Sequence, residues 1–346
     1  MAVAEPVRGP LKASTARALP RGGLSLSALG LGCAQIGGLF QPMPLATALA
    51  VLDAAWDSGI RYFDTAPYYG YTRSERRVGA WLSERERGDY RVSTKVGRLM
   101  VPADRVGAEE YGYVAPLPFP ARYDYSHDAI LRSFEDSQQR LGIARVDLLY
   151  VHDIGTLTHG EAGAAHWKAP TRGGGFRALE RLRREGRVGG IGLGVNEAAV
   201  VSDALGEAEL DAVLLAGRHT LLEQRALPLL DACRAAGTAV VSAGPFNSGI
   251  LAGGTTFDYA AAPAEVVARV AALRAVAARF AVPVAAAALQ FPLAHPAVVS
   301  VVAGAQSPEQ LRANVADFER PIPAEFWSAL AREGLLDPAA PVPAGT

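Results

Sequence analysis

Short apolar runs alternate with longer segments of helical period along most of this 346-residue chain. Eight runs have the length and composition of buried strands, at 28–32, 60–64, 91–95, 146–151, 188–195, 211–215, 238–242 and 298–302. Helical patterns lie between most of them, at 45–58, 74–82, 126–141, 175–184, 222–236, 282–294 and 308–318. Strands separated by helices form right-handed βαβ units in a parallel sheet, and eight such units favour a closed barrel. The pattern therefore predicts an α/β protein, a (β/α)8 or TIM barrel.

The segments outside this repeat have patterns of their own. Residues 17–26 form the pattern of an N-terminal β-hairpin with a Gly-Gly turn, and 264–280 and 324–335 that of extra helices. Ser74 is predicted to cap the second helix. We expect a single domain over 1–346, with a core at about 14–335 and flexible tails.

Two long βα loops interrupt the alternation. The segment 96–124 has no clear period but is rich in tyrosine and proline, which favours a folded lid. A second loop is predicted over 153–171. If a pocket lies beneath these loops, the side chains available to line it are Tyr111, Tyr113, Tyr123, His159, His166 and Trp167.

Composition excludes several classes of function. Half of the residues are hydrophobic and the formal net charge is −1, so neither a basic surface for nucleic acid nor an acidic tail is indicated. No apolar run reaches the length of a membrane span, and the first residues lack the apolar core of a signal peptide, so we expect a cytoplasmic protein without a membrane partner. Cys33 and Cys233 match no metal motif and are expected to be reduced core thiols.

Polar residues stand at the ends of four consecutive predicted strands. Asp64, Lys95, His152 and Asn196 each follow an apolar run, and Tyr69 lies five positions after Asp64. Each one alone has an ordinary structural explanation, such as a turn residue or a hydrogen-bonded core histidine. Together they favour an active site, because the carboxyl ends of barrel strands meet at one rim.

These residue types also form a coherent chemical set. Lys95 is one of only three lysines, and a buried ammonium needs a counter-charge such as Asp64. The ammonium is expected to lower the pKa of Tyr69 and so prepare it for proton transfer, while His152 orients the reacting oxygen. With neither a nucleophile–base pair nor metal spacing in the sequence, a proton-transfer residue suggests a cofactor that carries hydride. The Gly-rich segment 30–35 matches only half of a Rossmann fingerprint.

Four motifs, at 63–70, 93–96, 147–152 and 192–196, make the chain similar to the aldo-keto reductases from about residue 26 to residue 318. This resemblance implies the same (β/α)8 barrel and places the family's catalytic tetrad on Asp64, Tyr69, Lys95 and His152, with Tyr69 as general acid or base. Asn196 would hold the nicotinamide carboxamide. The chain departs from the family at Val195, Ala216 and Ala243, where serine, glutamine and an aromatic residue are usual.

The resemblance also implies a nicotinamide cofactor and its binding residues. These are Asn196, Gly244, Pro245, Asn247, Gly249, Gly304, Gln306, Ser307, Gln310 and Asn314. The segment 244–249 would cover the pyrophosphate. Members that prefer NADP usually carry Lys or Arg at the positions of Gly304 and Gln310, so NAD is expected here, with NADP possible through Arg312.

The pattern most resembles the L-fucose and D-threo-aldose 1-dehydrogenase branch of the family. This implies oxidation of an aldose at C1 to an aldonolactone by hydride transfer to NAD. A pyridoxal 4-dehydrogenase or a general aldehyde/ketone reductase is the alternative. A non-catalytic nicotinamide sensor is disfavoured because the tetrad is intact. The partners expected are a small sugar or aldehyde and, at most, further copies of the chain in a small homo-oligomer.

Overall fold

Eight parallel strands close into a barrel in the computed structural model, which describes residues 11–345. The strands are β1 (Leu29–Gly32), β2 (Tyr62–Asp64), β3 (Arg91–Val96), β4 (Val146–His152), β5 (Val188–Val195), β6 (Ala212–Ala216), β7 (Ala239–Ala243) and β8 (Val298–Ala303). Each pairs with the next along the chain, and Val301 of β8 lies opposite Leu29 of β1 to close the ring. The predicted (β/α)8 barrel is confirmed. The predicted flexible amino-terminal tail covers residues 1–13, of which 1–10 lie outside the described residues, and Ala13 is buried.

Helices follow the strands on the outside of the barrel. They are α1 (Leu45–Asp57), α2 (Arg73–Leu82), α3 (His127–Leu141), α4 (Gly175–Arg184), α5 (Ala198–Glu207), α6 (Leu227–Ala235), α7 (Val284–Gln290) and α8 (Pro308–Phe318), with extra helices at Ala264–Arg279 and Ala324–Arg332. The sequence did not predict α5, which buries only Val200, Val201 and Ala204 along its length. Helix α6 begins at Leu227 rather than at 222, with proline in its first turn.

The predicted hairpin is present and lies at the amino-terminal end of the barrel. Ala16–Ala18 pairs with Ser25–Ser27, and Leu24 and Leu26 pack in the same apolar cluster as residues of the barrel interior. The Nε atom of Arg21 donates to the Gly237 carbonyl, just before β7. The opposite, carboxyl-terminal rim therefore remains as the place for a site.

The two long loops carry more structure than their sequences indicate. After β3, Arg98–Met100 pairs with Ala121–Tyr123, and Glu109–Glu110 pairs with Tyr113–Val114, which is a folded segment as predicted. After β4, the prediction of a loop over 153–171 is wrong, because Thr156–His159 and Gly163–Thr171 are helical. Glycines at both ends of these helices and Pro170 inside the second obscure the helical period.

The start of α2 also differs from the prediction. Ser74 does not cap the helix but is fully buried, with its hydroxyl donating to the Cys33 carbonyl at 2.7 Å. Glu75 is likewise buried, paired with Arg140 of α3 and hydrogen-bonded by Thr94 of β3. These contacts fix α2 against the strands that end at the rim.

Cys33 and Cys233 are buried free thiols, as expected. Within residues 11–345, no group of three or more His, Cys, Asp and Glu side chains is arranged to hold a metal ion. No single helix in the same range is long and apolar enough to cross a membrane. Taken together, the helices Ala264–Arg279 and Val284–Ala294 have the length and composition of a membrane span, but they are bent by 101° relative to each other.

Candidate active site

A buried ion pair joins β2 and β3 beneath the carboxyl-terminal rim. The Nζ atom of Lys95 lies 2.8 Å from Oδ2 of Asp64 and donates to the Thr65 carbonyl at 2.9 Å. The side chains of Lys95 and Asp64 are only 1% and 4% exposed. Since an unpaired charge would be costly at this depth, each side chain requires the other.

A chain of hydroxyl groups supports the second carboxylate oxygen from inside the barrel. Ser93 Oγ donates to Oδ1 of Asp64 at 2.7 Å, and Tyr62 stands 2.9 Å from Ser93, with Tyr150 3.4 Å further back. An ionised carboxylate can only accept, so the Ser93 hydrogen points to Asp64 and Ser93 in turn accepts from Tyr62. All three hydroxyl groups then stabilise the negative charge of Asp64.

Tyr69 lies beside this pair on the loop after β2. Its ring centroid is 4.6 Å from Nζ of Lys95, and the residue is half-buried. The following Gly70 has φ +64°, and a Cβ there would overlap the Gly37 carbonyl at 2.1 Å, so a glycine is required for the loop to hold Tyr69 here.

The expectation that Lys95 lowers the pKa of Tyr69 is wrong for this arrangement. Burial, and then the charge of Asp64, raise the pKa of Tyr69 well above its ordinary value. Lys95 directs its hydrogen bonds to Asp64 and Thr65 and not to the Tyr69 hydroxyl, so a phenolate at Tyr69 would gain no hydrogen bond from the ammonium. With only the protein's own groups around it, the hydroxyl is therefore protonated at neutral pH, and it needs a bound cation beside it before it can take a proton.

His152 ends β4 with its ring edge-on to Tyr69, at 5.9 Å between centroids. Burial lowers the pKa of His152 well below its ordinary value, and the positive charges of Arg98 and Lys95 act in the same direction. The imidazole is thus neutral and carries one donor and one acceptor nitrogen. Its Nε2 lies 3.4 Å from a carboxylate oxygen of Asp153, and its buried Nδ1 has no hydrogen-bond partner.

The tetrad predicted from the sequence lines one cleft of about 440 Å³ at the rim. The ends of several strands contribute very small residues to the cleft, namely Gly32, Gly194, Ala216, Ala243 and Gly304. A Cβ at Gly304 would come within 2.0 Å of the Gln35 side chain, and one at Gly194 within 3.2 Å of Lys95. Because these strand ends contribute no large side chains, the floor of the cleft has room for a flat ring, and the residues there fit a nicotinamide. The departures at Ala216 and Ala243 enlarge the same space.

The predicted cofactor residues divide into two groups. Asn196, Gly244 and Gly304 line the cleft. The others, Pro245, Asn247, Gly249, Gln306, Ser307, Gln310 and Asn314, lie in the adjoining segments after β7 and β8, and their contact with a cofactor stays a prediction.

Several of these side chains are engaged within the protein. Asn247 accepts from Thr220 at 2.6 Å and donates to the Gly217 carbonyl. Ser307 caps α8, and Asn314 donates to the Gly304 carbonyl at 3.2 Å. They shape two loops rather than present free donors.

The two long loops contribute unequally to the cleft. Tyr111, Tyr113 and Tyr123 line it, together with Tyr68. His159 and His166 instead stack on each other at 3.9 Å behind Tyr123, and Trp167 packs on Phe176.

Sequence reasoning missed Arg98 and Asp153, which line the cleft as an ion pair 2.5 Å long. It also missed Tyr259, on the short hairpin after β7, and Phe40, whose rings lie 6.5 Å apart at the cleft. An acidic residue directly after the strand-ending His152 was the signal for Asp153. Arg98 follows the kink at Gly97, within a segment without a period, and had no such signal.

Comparison with known proteins agrees with this geometry. The model of the aldo/keto reductase family matches residues 28–332. The chain is 52% identical over 340 residues to a pyridoxal 4-dehydrogenase of Microbacterium luteolum, covering 94% of this chain and 99% of that protein. It is 39% identical to a D-threo-aldose 1-dehydrogenase of a Pseudomonas species, over 93% of this chain and 98% of that one.

Among solved structures, a holo-form aldo-keto reductase of Bacillus halodurans matches with a TM-score of 0.71 at 26% identity. That match covers 94% of this chain and 98% of the other. The resemblance in sequence and the resemblance in structure thus extend over nearly the same length. The chain belongs to the aldo/keto reductase family of oxidoreductases.

Proposed function

We propose that the protein oxidises a cyclic hemiacetal to a lactone, with NAD as hydride acceptor. The observation that carries this proposal is the buried Lys95–Asp64 pair beside Tyr69 and a neutral His152, at the floor of a cleft with small residues around it. This set can position one hydroxyl group and exchange its proton, and it offers no nucleophile for a covalent intermediate.

Each residue has a role in the proposed step. His152 orients the hydroxyl of the hemiacetal carbon, and the oxygen of Tyr69 takes its proton while the carbon becomes a carbonyl carbon. A nicotinamide bound beside Asn196 would supply the hydride acceptor. Its positive charge would oppose the effect of burial on the pKa of Tyr69, so that the phenolate can take the proton of the hydroxyl group. Lys95, whose Nζ lies 4.6 Å from the Tyr69 ring centroid, and its partner Asp64 stabilise charge at the floor of the cleft, where both side chains are buried.

We propose that Asn196 binds the carboxamide and that the segments 244–249 and 304–314 bind the phosphates and adenosine. The backbone of the first segment has positive φ at Gly244, Asn247, Ser248 and Gly249, which turns it sharply at the cleft. The amino terminus of α8 is suited to an anion. NAD is favoured over NADP because Gly304 and Gln310 offer no cation to a 2′-phosphate, and Arg312 lies on an exposed face near Glu309.

Pyridoxal is the substrate we favour, and an aldose is the second candidate. The relative that is 52% identical is a pyridoxal 4-dehydrogenase, whereas the aldose 1-dehydrogenase is 39% identical. Besides Tyr69, five tyrosines line the cleft and offer faces for a planar aromatic ring, at 68, 111, 113, 123 and 259. Pyridoxal and aldoses both close to cyclic hemiacetals, so the same proton and hydride transfers serve either substrate.

A screen for NADH formation tests the proposal. Pyridoxal, L-fucose, D-arabinose, L-galactose and L-xylose are each supplied with NAD and with NADP, with the Tyr69→Phe variant as the matched control. We expect oxidation of pyridoxal with NAD and far less in the variant. Cofactor binding without turnover of any substrate would favour the sensor instead, and aldehyde reduction without hemiacetal oxidation would favour a general reductase.

A further inference from the structure

Arg98 is a buried cation at the cleft with unused hydrogen-bond donors. Its side chain is 5% exposed, and of its five N–H groups one is engaged, with Asp153 at 2.5 Å. The buried Nε has no partner at all. A buried guanidinium normally satisfies its donors, because an unpaired buried polar group is costly. Arg85, Arg87, Arg91 and Arg269 also have a buried Nε without a partner, but of these five arginines only Arg98 lines the cleft, where a ligand can supply an acceptor.

The position of the guanidinium is fixed from several sides. Its central carbon lies 4.0 Å from the ring centroid of Tyr68 and 5.1 Å from that of Tyr123. Gly97, with φ +101°, turns the chain out of β3, and a Cβ there would meet the Tyr125 ring at 2.3 Å. These contacts fix the orientation of the Arg98 guanidinium, as is expected for a ligand-binding residue and not for a mobile surface cation.

Asp153 relates this cation to the reacting centre. One of its carboxylate oxygens, Oδ2, lies 2.5 Å from Arg98 and 3.4 Å from Nε2 of His152. The guanidinium and the imidazole therefore lie on either side of one carboxylate oxygen at the cleft, so a substrate whose reacting oxygen is oriented by His152 can reach Arg98 with a neighbouring substituent. The chemistry of that substituent decides how well the substrate is bound.

We propose that Arg98 determines substrate specificity by binding an ionised oxygen on the ring carbon next to the one that carries the reacting carbon. The substrate class is a 3-hydroxypyridine hemiacetal, and the inference rests on the function proposed above. In such a ring the phenol is ionised at neutral pH while the nitrogen is protonated. A charge-assisted bond to that oxygen is stronger than one to the neutral hydroxyl that an aldose offers at the equivalent position.

The test is a double-mutant cycle in which the Arg98 side chain and the substrate oxygen are removed singly and together. Pyridoxal is compared with its 3-deoxy analogue, and wild-type enzyme with Arg98→Met, by kcat and KM. Arg122→Met is the control, because Arg122 lies on the paired strand of the same hairpin with an exposed side chain. In wild type, removal of the oxygen is expected to raise KM by about 10–100-fold. In Arg98→Met, KM for pyridoxal should rise by a similar factor, and removal of the oxygen should have little further effect.

Two further measurements keep the result unambiguous. The wild-type comparison of the two substrates needs no variant, so a poorly folded Arg98→Met leaves it intact. Arg98→Lys keeps the charge but not the planar fork, and should recover only part of the affinity. Isothermal titration with pyridoxal in the absence of cofactor repeats the comparison as Kd.

The outcomes separate the two proposals. Turnover of pyridoxal with equal KM for the 3-deoxy analogue, or additive effects in the cycle, would overturn the role of Arg98 alone. Absence of turnover of every hemiacetal by wild type would overturn the proposed function itself.

Discussion

Replacing Lys95 by methionine tests the buried ion pair directly. Methionine keeps much of the apolar stem but removes the ammonium. The Asp64 side chain, which is only 4% exposed, then keeps Ser93 as its side-chain hydrogen-bond donor. Removal of one partner of a buried pair typically costs about 3–5 kcal/mol, because the other charge stays desolvated. We expect the free energy of unfolding at neutral pH to fall by that amount, and activity to be lost.

The chain contains its own matched control. Lys12 makes a contact of nearly the same length, 2.9 Å to Glu319, but the two side chains are 57% and 26% exposed. Exposed pairs contribute about 0–1 kcal/mol. Lys12→Met should therefore change the free energy of unfolding little, and the difference between the two variants isolates the effect of burial.

A double variant separates the lost charge from the lost packing. In Lys95→Met with Asp64→Asn, neither position carries a charge, so the desolvation penalty disappears. We expect it to be more stable than Lys95→Met alone, by urea unfolding followed through tryptophan fluorescence and circular dichroism. If the double variant is no more stable, the loss comes from packing of the lysine stem, and the account of the orphan carboxylate is wrong.

Three further predictions concern the acid–base residue, a buried histidine and the cofactor. Tyr69→Phe should retain cofactor binding but lose about 10²–10⁴-fold in kcat, and near wild-type kcat would contradict its role. His219 is 1% exposed, and burial, followed by the charge of His295, lowers its pKa to about 3. Below the unfolded value of 6.5 only the unfolded state takes up this proton, so this contribution to stability is present above pH 6.5 and is lost as the pH falls toward 3. Between pH 6.5 and 4.5, the free energy of unfolding of His219→Phe, measured in urea, should therefore fall by about 2–3 kcal/mol less than that of wild type. An equal decrease in the two proteins would refute this. Gln310→Arg should raise kcat/KM for NADP relative to NAD, and an unchanged ratio would place the 2′-hydroxyl elsewhere.

The barrel and three members of the tetrad were accessible from the periodicity of the sequence, whereas the catalytic role of Tyr69, which lies on a loop, was implied by the resemblance to the family. Each core strand is an apolar run of limited length, and the polar residue that ends it must lie at the rim once the strands are parallel. Asp64, Lys95 and His152 were therefore located without any knowledge of distances. Helix α5 was missed because its apolar face is small.

Properties that depend on contacts between distant segments could not be predicted. The position of Arg98 depends on the pairing of its strand with 121–123, across a segment without a period. The direction of the Tyr69 pKa shift depends on where Lys95 places its hydrogen bonds, and the sequence shows only that the two residues lie on neighbouring elements. The same holds for the candidate aromatic residues, because the folding of the long loops after β3 and β4 determines which of them face the cleft.

The hairpin beneath the barrel has a consequence for how the chain acquires its structure. It is synthesised first, yet Arg17 donates to the Val298 carbonyl and Ser27 accepts from Ser300, both in the last strand. During synthesis, Arg17 and Ser27 therefore remain without these partners, which are more than 270 residues away, and Leu24 and Leu26 remain without the later strands of their apolar cluster. Such long-range closure slows folding and exposes apolar surface in the meantime. A chain truncated before β8 should consequently aggregate rather than fold into a smaller barrel.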